Sequence, residues 1–200
     1  MILSDSQISA IPGLIEPFTP KLTRVVKAPP SPDSTEERKV ISYGLSSYGY
    51  DIRLSPAEFL IFRHVPGTVV DPKNFKPDNL EPVSLHSDIS GDFFILPGHT
   101  YGLGVALEKI NMPSDTTAIC LGKSTYARIG VIANITPAEA GFTGHLTLEF
   151  SNSSSADARI YANEGVVQLL FLKGEPCNVT YQDRNGKYQN QPEQVVTSRV

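Results

Sequence analysis

Short β-rich runs separated by turn residues constrain this chain more than any other feature. Runs rich in aromatic and β-branched residues occupy 59–62, 93–96, 101–107, 117–121, 130–136, 145–150 and 166–171. Gly- and Pro-containing segments that are typical of turns lie between them. Beyond residue 59, no stretch keeps the 3.6-residue helical period over about 12 residues, although 124–128 has room for one helical turn. This pattern predicts a mainly-β domain, either a barrel or a compact sandwich.

The chain length fits a single domain, which we place at residues 1–180. A short helix is expected near 8–11, capped by Ser4 or Asp5 with Gln7 closing a capping box. Residues 27–38 contain three prolines and almost no apolar side chain, and are expected to form an exposed loop. The polar segment 181–200 is expected to be loose unless other residues pin it.

Composition excludes several classes of protein. Hydrophobic residues make up 40% of the chain and charged residues 19%, which suits a folded core and not a disordered chain. The formal net charge of −4 provides no general attraction for nucleic acid or an acidic membrane surface. The beginning of the chain does not resemble a signal peptide, and no apolar run approaches about 20 residues. We therefore expect a cytoplasmic protein that binds neither nucleic acid nor membrane.

Two common catalytic motifs are missing from the sequence. None of the four histidines begins a His-x-Glu motif, and Pro176-Cys177 is followed by Asn178, without a second nearby cysteine. A zinc deaminase site is therefore not expected. Gly122-Lys123-Ser124 matches the end of a P-loop, but Thr117 stands where the first glycine of that motif belongs.

The segment 121–128 concentrates groups that bind phosphate. A strand leads into Gly122, and then a cation, two hydroxyls and a second cation follow. If Ser124 begins a helical turn, its free N–H groups can bind an anion, and Arg128 returns over the same face. A capped turn with solvated charges explains the segment equally well.

The segment 145–150 alternates polar and apolar side chains. A strand with this pattern buries Leu146, Leu148 and Phe150 and leaves His145, Thr147 and Glu149 on the opposite face. A carboxylate on such a face is usually solvated. If the face lines a cleft, partial desolvation raises the pKa of the carboxyl group towards neutrality and makes it a candidate general base.

Two further segments have both a structural and a functional interpretation. The Gly-rich segment 136–144 is explained by a tight β connection with glycines at positive φ. The segment 181–191 interleaves cations, amides and aromatic residues. That composition suits either a segment that becomes ordered over an anionic ligand or a disordered tail.

Four segments taken together, 41–53, 122–128, 145–150 and 161–168, resemble the dCTP deaminase family, which shares its fold with the trimeric dUTPases. The resemblance implies a distorted β-barrel of the dUTPase-like (β-clip) type with short helices, an N-terminal helix and a mobile C-terminal lid at 181–200. It also implies a homotrimer with active sites between subunits. The implied reaction is zinc-independent hydrolysis of the cyclic amidine C–N bond of dCTP to give dUTP and ammonia. Mg²⁺ would accompany the triphosphate, the product would feed dUMP and dTTP synthesis, and dTTP would be a candidate inhibitor.

The resemblance also assigns the site residues. It implies that Glu149 is the catalytic general base and acid, supported by Ser124 and Arg128. The implied substrate-binding residues are Lys123, Ser124, Thr125, Tyr126, Ala127 and Arg128 at the phosphates, Ile135 and Thr136 at the pyrimidine edge, Thr147, Leu148 and Glu149 at the nucleoside, and Gln168, Tyr181, Lys187 and Gln191 at the sugar and phosphates. No residue is implied to bind a metal. Asn190 departs from the family's tail pattern, which has a glycine there, and Pro192-Glu193 follows it.

Two alternative functions remain open at this stage. One is a dUTPase, or a bifunctional deaminase that also cleaves the triphosphate to dUMP and pyrophosphate, in which Glu139 would take the place of the hairpin aspartate. The other is a nucleotide-binding member of the fold without catalytic activity. The presence of Ser124, Arg128 and Glu149 argues against the second alternative.

Overall fold

Antiparallel strands account for most of the regular structure in the computed structural model, which describes residues 1–27, 36–63 and 65–200. The first half contains α1 (Asp5–Ser9), β1 (Ile15–Glu16), β2 (Thr23–Lys27), β3 (Glu37–Ser46), β4 (Gly49–Phe62), a 3₁₀ turn (Pro77–Asn79), β5 (Leu80–Pro82), β6 (His86–Asp88) and β7 (Gly91–Leu96). The second half contains β8 (Tyr101–Asn111), β9 (Thr116–Gly122), α2 (Ser124–Ala127), β10 (Val131–Asn134), β11 (Thr143–Asn152), β12 (Ala158–Tyr161) and β13 (Gly165–Lys173). The mainly-β prediction is confirmed.

Every predicted β-rich run overlaps a strand, but the strands begin earlier in the chain than the sequence indicated. β2, β3 and the first half of β4 all precede residue 59. The predicted loop at 27–38 is bounded by strand residues, because Lys27 pairs with Glu37 and Val26 pairs with Arg38 at the ends of β2 and β3. Residues 28–35, the centre of that predicted loop, lie outside the described residues.

The larger sheet has the strand order β10-β11-β8-β4-β13-β9, and β12, β7 and β6 form a smaller one. β9 and β10 lie at the two ends of the hydrogen-bonded path, so the sheet is not closed into a complete barrel. The two ends nevertheless approach closely, since a Cβ atom on Gly122 of β9 would lie 3.1 Å from the carbonyl oxygen of Ala133 in β10. The sheet is therefore strongly curved, which fits the prediction of a distorted barrel.

Three phenylalanines form the centre of the core. The ring of Phe59 on β4 lies 5.1 Å from that of Phe94 and 5.6 Å from that of Phe150. β8 crosses this group with glycine at position 102, where a Cβ atom would lie 2.7 Å from the Phe59 ring. Glycine is thus required there by close packing of β8 against the aromatic core.

The two helices are short, as the sequence predicted. The Ser4 backbone N–H donates to Gln7 Oε1 at 3.0 Å, which confirms the predicted capping relation, although the helix ends at Ser9 and does not reach residue 11. α2 supplies the single turn predicted after Gly122. In the described ranges, neither helix has the length or apolar character needed to cross a membrane.

An ion pair between the partly buried Arg53 and the fully buried Glu108 joins β4 to β8. Arg53 donates from Nε to Glu108 Oε1 at 2.7 Å and from its backbone N–H to Oε2 at 2.8 Å. Burial raises the pKa of Glu108, and the adjacent Arg53 opposes that rise. Both carboxylate oxygens are therefore satisfied inside the sheet, as a buried charge requires.

We expect Arg53→Met to lower the free energy of unfolding by about 3–5 kcal/mol, because the substitution leaves Glu108 buried without its cation. The double variant Arg53→Met/Glu108→Leu should recover most of that loss, since it removes both charges from the interior. Denaturant unfolding of the single and double variants measures the difference. Arg159→Met, which breaks the exposed ion pair with Asp88, is the matched control and should have little effect. Equal stability of the Arg53 single variant and the wild type would contradict the prediction.

Candidate active site

β11 separates the core from a cavity through its alternating side chains. Leu146, Leu148 and Phe150 are buried in the core, whereas His145, Thr147 and Glu149 are only partly buried on the other face. The predicted alternation of this strand is confirmed. Because β11 pairs with β8 along one edge and with β10 along the other, its outward face is held in a fixed register.

The outward face of β11 forms the floor of a cavity of about 810 Å³. Thr147 and Glu149 line it together with neighbouring side chains of β8. The connection between β10 and β11 forms a second side, an aromatic group a third, and the C-terminal tail crosses it. This size and mixed lining suit a small organic ligand with a few polar groups.

Glu149 is half-buried at this floor. Burial raises the pKa of its carboxyl group, and a hydrogen bond from Asn134 Nδ2 to Oε2, 3.3 Å long, partly opposes the rise. The same cavity contains Tyr101, whose pKa is raised to about 12 by burial and by the charge of Glu149. The carboxylate therefore lies in a cleft and not in open solvent, which favours the functional interpretation of this strand.

Aromatic side chains form the apolar wall of the cavity. The rings of Phe62 and Tyr101 meet edge to face at 5.4 Å, and those of Phe62 and Phe75 at 6.0 Å. Leu103 extends this surface towards Glu149. A wall of rings beside one carboxylate can hold a flat heterocycle in a fixed orientation.

The C-terminal tail is pinned to the domain by backbone hydrogen bonds. Tyr181 N–H donates to Ala140 O at 2.8 Å, Asn190 N–H to Thr143 O at 2.7 Å, and His145 N–H to Gln191 O at 3.0 Å. Asn190, where the resemblance led us to expect glycine, has a φ of 58°, a left-handed conformation that asparagine tolerates. Asparagine in place of glycine is therefore compatible with the turn at this position.

Side chains also fasten the tail beyond Gln191. Ser55 Oγ donates to Glu193 Oε1 at 2.5 Å, and Val195 N–H donates to Glu58 Oε2 at 2.6 Å. Thr147 Oγ1 donates to Gln191 Oε1 at 3.0 Å and accepts from Val196 N–H at 3.2 Å. The tail thus supplies one side of the cavity, where Tyr181, Lys187 and Gln191 all lie as lining residues.

The predicted phosphate-binding residues around α2 form a separate group. Lys123 Nζ donates to Ser42 Oγ at 3.1 Å and pairs with the buried carboxylate of Asp51. Gln168 on β13 lies directly opposite Asp51 on β4. Ser124, Thr125, Ala127 and Arg128 are exposed. None of residues 123–128, nor Gln168, lines the cavity that contains Glu149.

The site predicted from the sequence is therefore divided into two groups within one chain. Seven of its residues line the cavity, namely Ile135, Thr136, Thr147, Glu149, Tyr181, Lys187 and Gln191. Asn134, the residue that pairs with Glu149, is at the C-terminal end of β10. The α2 group lies beyond the N-terminal end of the same strand. A single chain does not place Ser124 and Arg128 in the cavity with Glu149.

Two of the predicted binding residues have buried side chains. Leu148 belongs to the core, and the Tyr126 hydroxyl accepts a hydrogen bond from Tyr161 N–H at 2.9 Å inside the domain. Their side chains are not available to a ligand, so neither residue can contact the substrate through its side chain. Both residues instead hold the elements that carry their neighbours, β11 in one case and α2 in the other.

Comparison with known proteins assigns the family. A family profile described as dCTP deaminase-like matches residues 33–174. A dCTP deaminase of Campylobacter concisus is 56% identical over 155 residues, covering 77% of this chain and 80% of that protein. One from Campylobacter curvus is 55% identical over 155 residues, with the same coverage. The chain belongs to the dCTP deaminase-like family.

A solved dCTP deaminase has a similar fold. The crystal structure of the 2'-deoxycytidine 5'-triphosphate deaminase from Agrobacterium tumefaciens superimposes with a TM-score of 0.54 at 18% sequence identity. The match covers 86% of this chain and 48% of that protein, so the chain spans about half of its length. At this identity the likeness supports the fold alone.

Sequence reasoning missed several residues that lie in the cavity wall or directly beside it. Asn134, Tyr101 and Phe62 were not singled out because their proximity to Glu149 depends on strand pairing. The register that places Asn134 opposite Glu149 and Leu103 beside it brings together segments that are well separated in the chain. The alternation of β11 was visible in the sequence, but the partners across its edges were not.

Gly144 permits the tail to approach β11, and we expect Gly144→Ala to release it. Gly144 has a φ of 140°, and a Cβ atom there would lie 2.6 Å from the backbone nitrogen of Gln191. Hydrogen exchange at residues 185–195 should become at least about tenfold faster as these hydrogen bonds open more often. The matched control is Gly67→Ala, since Gly67 also has a positive φ, 76°, but nothing lies within 4 Å of its Cβ position. Unchanged tail protection in the Gly144 variant would show that the tail does not depend on this close approach.

Proposed function

We propose that this protein hydrolyses dCTP to dUTP and ammonia, with Glu149 as the group that moves protons. The observation that supports the proposal most strongly is a half-buried carboxylate with a raised pKa at the floor of an aromatic-walled cavity. The names of the relatives at 55–56% identity support the substrate. The reaction class is hydrolysis of a cyclic amidine C–N bond.

The reaction needs one water molecule and a group that both accepts and donates protons. Glu149 takes a proton from the water as its oxygen attacks C4 of the cytosine ring, and delivers that proton to N3. Glu149 then carries the remaining proton of the attacking water from the new C4 hydroxyl to the amino group. The tetrahedral adduct collapses to a C4 carbonyl, and ammonia leaves. A carboxyl group with a pKa raised towards neutrality can serve in both directions.

The cavity has the groups needed to hold the nucleoside beside Glu149. Phe62 and Tyr101 provide an apolar face for the pyrimidine, and Ile135 and Thr136 line the same cavity. Thr147 and Leu148 are strand positions beside the nucleoside, and Leu148 can contribute only through its backbone because its side chain is buried. Tyr181, Lys187 and Gln191 face the sugar and phosphates from the tail.

The triphosphate requires more cations than the cavity provides. Among the described residues that line it, Lys187 is the only lysine or arginine, and its Nζ donates to the Arg199 carbonyl oxygen at 2.9 Å. Lys123, Arg128, the hydroxyls of Ser124 and Thr125, and Gln168 lie in the α2 group instead. We infer that the α2 group of one subunit completes the cavity of another, with Ser124 and Arg128 orienting the water.

Exposed apolar side chains beside α2 support an interface at this position. Ile119 and Leu121 on β9, Ile129 after α2, and Ile132 on β10 are each between 41% and 54% exposed. Apolar side chains gathered in this way favour a protein contact over solvent. A homotrimer whose interfaces bring α2 to a neighbouring Glu149 accounts for both this surface and the divided site.

Magnesium is expected to arrive with the substrate. Across residues 1–27, 36–63 and 65–200, no group of three or more His, Cys, Asp or Glu side chains could hold a metal ion. These side chains therefore suit an ion whose ligands come mainly from phosphate oxygens and water, as is usual for Mg²⁺. Near Lys123, Asp51 Oδ1 is buried without a hydrogen-bond partner and could accept a bond from such a water. We assign no zinc to the reaction.

The wider setting follows from the substrate. A dCTP deaminase supplies dUTP for dUMP and dTTP synthesis, so dTTP is the natural candidate for an inhibitor that binds the same cavity. Its substrate is a cytoplasmic metabolite, so we place the protein in that compartment.

The second candidate activity is cleavage of the triphosphate, alone or after deamination. Glu139 lines the cavity and is the carboxylate that would have to activate water at a phosphate. It forms an ion pair with Arg184 of the tail. We favour deamination alone because this pairing gives Glu139 a role in holding the tail.

We expect Glu149→Gln to reduce kcat for dCTP by about 10²–10⁴-fold, because the amide cannot accept the proton. The affinity for dCTP should change by only a few fold, since the amide has nearly the same shape as the carboxylate. Ammonia release and product chromatography measure the rate, and calorimetry measures binding. Activity above about a tenth of wild type would remove Glu149 from the base role.

Glu139→Gln is the matched carboxylate control in the same cavity. It should leave deamination largely intact, and dUTP should remain the product. Formation of dUMP and pyrophosphate by the wild type, abolished by this substitution, would instead establish the bifunctional activity.

Mixing two inactive variants tests whether the site lies between subunits. If Arg128 and Glu149 come from different subunits, co-refolded Arg128→Ala and Glu149→Gln chains should place both intact residues in about a quarter of the sites. Deamination should recover to a similar fraction of wild type. Each variant refolded alone is the control. Absence of recovery in verified mixed oligomers would contradict the shared site.

A further inference from the structure

Asn134 lies directly across from Glu149 at the end of β10. The two residues are register partners, and Asn134 Nδ2 donates to Glu149 Oε2 at 3.3 Å. Asn134 is exposed and does not line the cavity. Its side chain therefore reaches the carboxylate from beside the cavity and would not touch a ligand inside it.

Within one chain, the other titratable groups that face Glu149 are occupied elsewhere or are neutral. Tyr101 on β8 has a pKa raised to about 12, and His145 on the same face of β11 has Nδ1 3.0 Å from the Ala106 carbonyl oxygen. On the other sides of the cavity, Glu139 pairs with Arg184 and Lys187 donates to a tail carbonyl. Within the described part of the chain, Asn134 is the side chain that donates to the Glu149 carboxylate.

We propose that Asn134 is a positioning residue for the reaction, because its amide holds Oε2 of Glu149 and leaves Oε1 free to exchange protons with water and substrate. This inference rests on the proposed function. Glu149 must accept a proton and return it, so the oxygen that reacts has to keep one orientation through both steps. A cross-strand hydrogen bond to the other oxygen provides that orientation from a rigid element.

A neutral donor suits this task better than a charged one. An N–H bond to a carboxylate favours its ionised form modestly and opposes the effect of burial. An ammonium or guanidinium group at the same distance would favour the ionised form more strongly and would hinder return of the proton. The amide also stays uncharged at every pH at which the enzyme works.

The test compares the pH dependence of Asn134→Ala and Asn134→Asp with that of the wild type. Loss of the donor raises the pKa of Glu149, so the acid limb of kcat/KM for dCTP should move to higher pH by about 0.5–1 unit in the alanine variant. The aspartate side chain has nearly the same shape as asparagine but adds a negative charge. The acid limb of the aspartate variant should therefore move to a still higher pH than that of the alanine variant. At neutral pH, kcat should fall roughly two- to tenfold. KM should change by less than about twofold, because Asn134 does not touch the ligand.

A second measurement does not depend on activity. Titration of ¹³C-carboxyl-labelled glutamate by NMR, with the Glu149 signal assigned from Glu149→Gln, should show the same order of pKa values in the free proteins: wild type, then alanine, then aspartate. Asn111→Ala is the matched control. Asn111 also ends a strand and donates from Nδ2, to Gly13 O at 2.7 Å, but is not a partner of Glu149.

A purely structural role for Asn134 would lower the melting temperature and alter kcat and KM together without moving the acid limb. An unchanged limb and an unchanged NMR titration in both Asn134 variants would overturn the inference. If the wild type fails to deaminate dCTP, the proposed function fails, whereas the NMR titration still reports the contact between Asn134 and Glu149. The two failures are therefore distinguishable.

Discussion

The two-sided character of β11 is the constraint on which the rest of the molecule depends. Leu148 and Phe150 anchor one face in the core, so Thr147 and Glu149 must face the cavity. A shift of one residue in register would bury the carboxylate and expose the leucine, at a cost that no local rearrangement could offset. Pairing with β8 on one edge and β10 on the other excludes that shift. The same packing that stabilises the fold therefore fixes the proposed general base in place.

The tail adds a cost to every ligand exchange. Thr147 is bonded both to Gln191 and to the backbone of Val196, so the floor of the cavity and the tail share the same hydroxyl. A ligand that needs Thr147, Lys187 or Gln191 must compete with these contacts or use them in rearranged form. In the proposed reaction, opening of the tail is then part of substrate binding and of product release, and its free energy enters the apparent affinity.

A structural feature could be predicted from the sequence when the residues that determine it are neighbours in the chain. The alternation around Glu149, the turn after Gly122 and the capping relation of Ser4 with Gln7 are each contained in a few residues, and all were predicted correctly. β3 was missed because its burial is intermediate along much of its length, so it lacks the clear alternation that marks β11. The pinned tail and the pair of Asn134 with Glu149 depend on partners more than ten residues away. Periodicity carries no information about such partners.

The division of the site into two groups is the feature with the widest consequence. The described lining of the cavity provides carboxylates and aromatic surface but a single lysine, whereas Lys123 and Arg128 lie at the far end of β10 beside exposed isoleucines. A triphosphate bound by the cavity alone would leave most of its charge unpaired, and the α2 group alone has no general base. An arrangement in which neighbouring subunits each contribute one group resolves both deficits. The proposed shared site also makes activity depend on assembly, so a chain that folds correctly but does not associate would retain Glu149 in its cleft and still fail to turn over substrate.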